Sequence, residues 1–249
     1  MDGYRPTTYG DAFADVYDEW YADVSSPSET ASFLRERVGG DGLVVELGSG
    51  TGRLAAPIRD AGLPVVGIDA SIEMLRHSVT LDPTVPVVAA DMAEPPIRAG
   101  AAAAVLIAFN TLFNLPSRAL QRTAIRRAAE MLRPGGILVI EAFVPGDGAS
   151  ERSDHVDVVR LDADMAVLRI SRTDPEAGTV SGHHVELRDG EPVRLRPWHL
   201  HFTDPAGIDR LAESAGLTLV ERHGGWVNEP FGSSSAIHVS VFSTREPRR

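Results

Sequence analysis

The sequence predicts an α/β fold: a parallel sheet with helices on both faces, carrying an inserted antiparallel β lobe. Three observations predict it. Over residues 43–143, continuous apolar runs alternate with helix-like stretches, the pattern of strands buried on both faces. Over residues 155–202 the chain changes to short segments rich in β-branched residues, broken by the turn signals "DPEAG" and "DGEP". Between the first apolar run and its helix, "VVELGSGTGRLAAPI" sets glycines at the alternate positions Gly48, Gly50 and Gly52.

The elements follow in order. Residues 1–38 read as a helical lid, because "GDAFADVYDEWYADV" spaces Phe13, Tyr17, Trp20 and Tyr21 near the helical period. "SPSETASFLRERV" lacks a capping box, but Ser26, Pro27 and Glu29 mark a helix start. Residues 39–145 form the binding core: strand "LVVEL" with helix "RLAAPIRDAG", then "PVVGID" with "SIEMLRHSVTL", then "VPVVAAD". "AAAVLIAFN" follows with helix "SRALQRTAIRRAAEML", and "GGILVIEAF" is the fifth strand. Right-handed crossovers bring the C-terminal ends of parallel strands to one edge, where ligands bind. Residues 155–203 form the lobe, from "HVDVVRL", "MAVLRISRTD", "TVSGHHVELRDG" and "PVRLRPWHLHF". Residues 204–249 supply a final helix, from Asp204 and Pro205 to Gly216, and a closing hairpin for the core sheet, "LTLVERHGGW" and "IHVSVFST". With no linker or repeat, residues 1–249 read as one domain.

Composition narrows the chemistry. Net charge is −11, and the terminal "REPRR" is the one basic patch, so nucleic acid and anionic membrane are excluded as expected partners. Cysteine is absent, which removes disulfides, thiolate metal sites and cysteine nucleophiles. All 24 basic residues are Arg, which removes lysine bases and Schiff-base chemistry. No apolar run reaches ~18 residues and the start lacks an apolar leader, so the expected location is the cytoplasm.

The glycine loop reads E-L-G-S-G-T-G from Glu46. A dinucleotide site needs G-x-G-x-x-G. Here the third glycine comes one residue early, and Arg53 occupies the slot. Glu46 is a poor neighbour for phosphate and a good one for an ammonium group. Asp69 ends the second strand, where a carboxylate accepts from both ribose hydroxyls. Asp91 ends the third, where its side chain can accept from an adenine amino group, with Met92 placed to line the ring. Together these residues resemble the class I S-adenosylmethionine-dependent methyltransferases, over about residues 9–143. The resemblance implies a Rossmann-like class I methyltransferase sheet and S-adenosyl-L-methionine as cofactor. By it, Glu46 with the backbone of Gly48, Ser49 and Gly50 holds the methionyl ammonium and carboxylate. Asp69 and Ala70 take the ribose, and Asp91 with Met92 the adenine. Met74 and Phe109 complete the expected cofactor wall. Tyr9 and Tyr17, eight residues apart, either cover the cofactor as part of the lid or simply pack.

The fourth-strand end, "IAFNTLFNL", places Phe109, Asn110, Thr111, Phe113 and Asn114 where the methyl group emerges. With "IEAFVP", the lobe and "AGIDRLAESAGL", it is similar to bacterial methyltransferases that N,N-dimethylate deoxyaminosugars, and to other natural-product and glycine-type N-methyltransferases. It departs from the aminosugar enzymes at Asn114, where they tend to carry His. The expected acceptor is an amine of a small metabolite, a sugar or other natural-product intermediate. A small-molecule hydroxyl is the alternative; a nicotinamide-dependent dehydrogenase or a non-catalytic nucleotide-binding module is the reading from another class. Tyr21, Asn110, Phe113, Glu141 and Trp226 are the expected acceptor contacts. Trp226 sits in "GGWVNEPFGSSS", which reads as part of the substrate mouth or as a plain hairpin loop.

An amine need only arrive unprotonated, whereas a hydroxyl benefits from a base by about 10²–10⁴-fold. The histidines therefore discriminate. His183 and His184 point to opposite strand faces, so at most one faces a cleft. His199 and His201 share one face, with Trp198, Leu200 and Phe202 on the other. That histidine face is a half-solvated or dimer-contact surface, or else it carries a base, so His199, His201 and Asn114 are the catalytic candidates. Two histidines without a third ligand make no metal site, and no Mg²⁺ pattern is evident. A homodimer through the lobe is the expected assembly.

Overall fold

The computed structural model describes every residue except 2, 22–25, 41, 147–150 and 245–249. The end of the expected lid helix and the basic "REPRR" lie outside the described residues. Five strands pair in parallel in the order β5-β4-β1-β2-β3: β1 (Val44–Leu47), β2 (Val65–Asp69), β3 (Val87–Ala89), β4 (Ala102–Ile107) and β5 (Leu132–Phe143). β1 and β4 bury every residue, as strands covered on both faces must. Four antiparallel strands follow as a separate sheet: β6 (Ser153–Leu161), β7 (Met165–Asp174), β8 (Thr179–Arg188) and β9 (Arg194–His201). β10 (Leu217–His223) and β11 (Ile237–Thr244) form the closing hairpin, and β11 pairs antiparallel to β5, so the main sheet runs β10-β11-β5-β4-β1-β2-β3.

Two apolar layers sandwich this sheet. On one face, helices α6 (Arg118–Met131) and α7 (Pro205–Ser214) bury Ile125 and Leu211 against Ile140 and Phe242. On the other, α3 (Pro27–Val38) and α4 (Ala55–Asp60) bury Phe33, Leu34 and Ile58 against Val44 and Val241. The helix starts are capped by the residues whose chemistry requires it: Ser26 accepts from the Glu29 amide, Ser71 from Met74 at the head of α5 (Ile72–Leu81), Ser117 from Leu120 and Asp204 from Gly207.

The lid does not run as one helix through the stretch where Phe13, Tyr17, Trp20 and Tyr21 keep the helical spacing. It forms two short helices, α1 (Thr8–Phe13) and α2 (Tyr17–Trp20). Between them Asp15 pairs with Arg196 of β9, a guanidinium only 2% exposed that also binds Glu186 and the Ala12 carbonyl. A buried cation demands such partners, and satisfying it draws Asp15 out of the helical path. The same contacts clamp the lid to the lobe. Sheet order reverses between β1 and β4, and beside that switch point the strand ends leave a crevice under lid and lobe.

Candidate active site

The crevice encloses a cavity of about 360 Å³, within the range of small-molecule sites. The glycine loop forms its floor. Gly48 (φ +73°) is needed for packing, because a Cβ there would stand 2.2 Å from Thr111 Cγ2. Gly50 (φ +56°) is different: its nearest neighbour would be Met74 Sδ at 3.9 Å, and it lines the cavity. The bared backbone at Gly50 thus faces ligand space. Asp69 fastens this loop, accepting from the Gly50 amide at 2.9 Å and the Ser71 amide at 2.8 Å. Burial raises its carboxyl above the usual range, against those two hydrogen bonds.

Glu46 lies behind the loop, off the cavity wall, and its buried Oε2 has no hydrogen-bond partner. Burial pushes its carboxyl to about 8, with Arg53 opposing and Asp69 adding to the rise. A buried acid with an orphaned oxygen fits a ligand ammonium. Asp91 and Met92 line the far end, and Asp91 accepts from the Ala93 amide at 2.8 Å. Ala70, Met74 and Phe109 also line the cavity. Tyr9, Tyr17 and Tyr21 close it from the lid, with the first two rings 6.4 Å apart. Burial raises all three hydroxyls, keeping them protonated. Tyr9 and Tyr17 therefore both pack and line the site.

Of the residues expected to contact the acceptor, only some line the cavity. Asn110 and Asn114 line it with Thr111. Asn110 sits in the left-handed region (φ 62°) and spends its Oδ1 on the Phe143 amide, whereas the buried Asn114 Oδ1 has no partner. Glu141, Trp226, Phe113 and Ser49 are off the wall. Glu141 is a buried brace, accepting from the Phe109 amide at 2.7 Å and from Trp226 Nε1 at 2.9 Å. Trp226 packs edge-on against Phe33 in the core, and Phe113 against Phe143. Ser49 turns towards Gly67, so only its backbone is in the loop's service.

His199 and His201 also lie off the wall, on the face of the lobe turned away from the cavity. His199 pairs through Nδ1 with Ser181 at 2.8 Å and stacks edge-on with Tyr4. Burial lowers both imidazoles. The register explains the choice: Val180 pairs with Leu200 and Gly182 with Trp198, and that face looks inward. A Cβ at Gly182 would stand 2.8 Å from Trp198 Cζ2, so the glycine leaves room for the indole to lie across β8. His184 faces inward too, among Phe13, Trp20 and Trp198, and burial lowers it to about 4, helped by Arg169 and Arg196. Arg169, Val180, His184, Trp198 and Leu200 were not expected at the site. The signal was present in the alternation that set Trp198 and Leu200 apart from the histidines.

Residues 44–136 match the family described as a methyltransferase domain. The whole chain is similar to the solved CcbJ methyltransferase of Streptomyces caelestis, 36% identical with a TM-score of 0.87, covering 97% of this chain and 99% of that one. It is 33% identical over 150 residues to the demethylmenaquinone methyltransferase of Renibacterium salmoninarum, a match spanning 56% of this chain and 60% of that relative's length. It is 27% identical to the dTDP-3-amino-3,4,6-trideoxy-alpha-D-glucopyranose N,N-dimethyltransferase of Streptomyces venezuelae, over 83% of each chain.

Proposed function

Because this chain belongs to the S-adenosylmethionine-dependent methyltransferases, we propose that it methylates an amine of a small metabolite, a sugar or other natural-product intermediate. Family membership sets aside the nicotinamide and non-catalytic readings. The cofactor residues fit: the open Gly50 backbone for the aminoacyl arm, Glu46 for the ammonium, Asp69 for the ribose, and Asp91 with Met92 for the adenine. When bound, S-adenosylmethionine supplies an electrophilic methyl group on a sulfonium, with a neutral thioether as leaving group.

The observation that carries the amine reading is the lack of a base at the acceptor end. Among the described residues lining it there is no carboxylate, and its one histidine, His184, is held at about 4. A hydroxyl would find no side chain to take its proton; an amine can shed its proton to water before binding. The chain then contributes position. Trp198, Leu200 and Val180 give an apolar wall, Asn114 offers an unused acceptor oxygen, and the lid excludes water. Alignment of this kind can lower a barrier by ~7–11 kcal/mol. The named substrate of the S. venezuelae relative is an aminosugar, which supports the same reading.

The partners belong to this proposal: a small-molecule acceptor, and a second copy of the chain on the outer lobe face, where Val156, Val158, Leu161 and Leu195 are 60–75% exposed. A cytoplasmic setting is part of it; no described helix is long and apolar enough to cross a membrane. The test is mass spectrometry of products from a panel of amino sugars and their hydroxyl analogues with S-adenosylmethionine. N-methyl products on the amines are expected. Methylation confined to hydroxyls would overturn the amine reading, and sedimentation showing a strict monomer would remove the second copy.

A further inference from the structure

The charges on the cavity wall are unevenly divided. Its acids both come from the core sheet, Asp69 as the last residue of β2 and Asp91 two residues past β3. Its one cation among the described lining residues is Arg169, on β7 of the lobe. Arg169 pairs in register with His184, beside the apolar wall of Val180, Trp198 and Leu200. Resting on the proposed acceptor end, we propose that Arg169 receives an anionic substituent of the acceptor, a carboxylate or a phosphate, so that the substrate is an amine carrying an acidic group.

Three features support it. Asp157 engages Arg169 through Nε and Nη2, at 3.2 and 2.9 Å, and among the described residues Nη1 has no hydrogen-bond partner. That pair is about half-exposed on both sides, 48% and 49%, so it orients the guanidinium without much binding energy of its own. A planar guanidinium with a free edge is a receptor for carboxylate or phosphate oxygens. The charge also reaches the cavity interior, where it depresses His184 and opposes the rise of the Tyr21 hydroxyl.

The probes are glucose, glucuronate and glucose 1-phosphate, titrated into the full chain with and without S-adenosylhomocysteine and followed by calorimetry. Glucuronate or glucose 1-phosphate should bind at least ~10-fold more tightly than glucose, and whichever binds more tightly identifies the anion. Arg169→Gln should abolish that preference, Arg169→Lys should restore part of it, and both should bind S-adenosylhomocysteine as the parent does. Equal binding of charged and neutral sugars, no measurable binding of either anion, or an unchanged preference in Arg169→Gln would each overturn the proposal. Loss of the anion preference once S-adenosylhomocysteine is bound would overturn it as well, by giving Arg169 to the cofactor. Each of these leaves the amine reading standing, which falls only if the methylated products carry the methyl on oxygen.

Discussion

β4 buries all six of its residues, whereas β6 exposes seven of nine, and the two strands belong to regions built on opposite rules. In the core sheet both faces are covered, so every residue of a central strand has one possible environment. In the lobe each strand has two distinct faces, one towards the cavity and one away. The core therefore carries its cavity-lining acids, Asp69 and Asp91, at or just past strand ends that chain order alone identifies. The lobe carries its cavity-lining residues on a face that only packing selects. Conserving one region while varying the other face would let a fixed cofactor site serve changing acceptors.

The sharpest way to break the comparison is at the core. Gly50→Val should cut S-adenosylhomocysteine affinity more than ~100-fold, since a branched side chain at φ +56° fills the ligand space. The fold should survive at a cost of about 1–3 kcal/mol from the left-handed backbone, because a Cβ there meets only Met74 Sδ at 3.9 Å. Calorimetry with circular dichroism checks both halves, and tight binding in the variant would move the cofactor elsewhere. Asp69→Ala comes next, at about 10–100-fold weaker binding, from the loss of charged hydrogen bonds worth roughly 1.5–3 kcal/mol. Its loss also frees the Gly50 and Ser71 amides, so hydrogen exchange at those two amides should quicken.

Glu46 gives a smaller, pH-dependent effect. Its folded value, about 8, stands above the ordinary carboxylate range. The neutral acid therefore contributes stability that is complete below about pH 4.5 and is lost as pH rises towards 8. Thermal melting of the free protein should fall across that window, and Glu46→Gln should flatten the fall. A bound ammonium favours the ionised form, so affinity for S-adenosylhomocysteine should rise about tenfold between about pH 6 and 7, with release of close to one proton. Calorimetry in buffers of different ionisation enthalpy reads that proton directly.

The smallest effects sharpen the lobe side. His199→Ala and His201→Ala should change kcat/KM by less than ~10-fold, because neither imidazole reaches the cavity. His184→Ala should cost more than either, since it opens the aromatic wall beside Trp198. A loss beyond ~100-fold in a His199 or His201 variant, with cofactor binding intact, would call for a base and favour a hydroxyl acceptor.

The core was legible because its signals are local. Apolar runs, the helix starts at Ser26 and Asp204, and the acid Asp69 where β2 ends all survive as structure. Three assignments failed for a shared reason. Glu141 and Trp226 look like exposed polar and aromatic contacts in sequence, yet each satisfies the other's buried hydrogen bond. The lid helix breaks at Asp15 because Arg196, 181 residues away, needs a carboxylate. Such partners are remote in the chain and leave no local trace.

By itself, the sequence determined the parallel core, the lobe's four strands and the place of the glycine loop after β1. These depend on period, composition and chain order, which are properties of contiguous segments. Only the tertiary structure decided which lobe face looks inward. Alternation divides β8 and β9 into two sets, Val180, His184, Trp198 and Leu200 against Ser181, His199 and His201, and the pattern is symmetric between them. The side that docks on lid and core is set by the Arg196 clamp and by the room Gly182 leaves for the indole, and burial then makes that side the cavity wall.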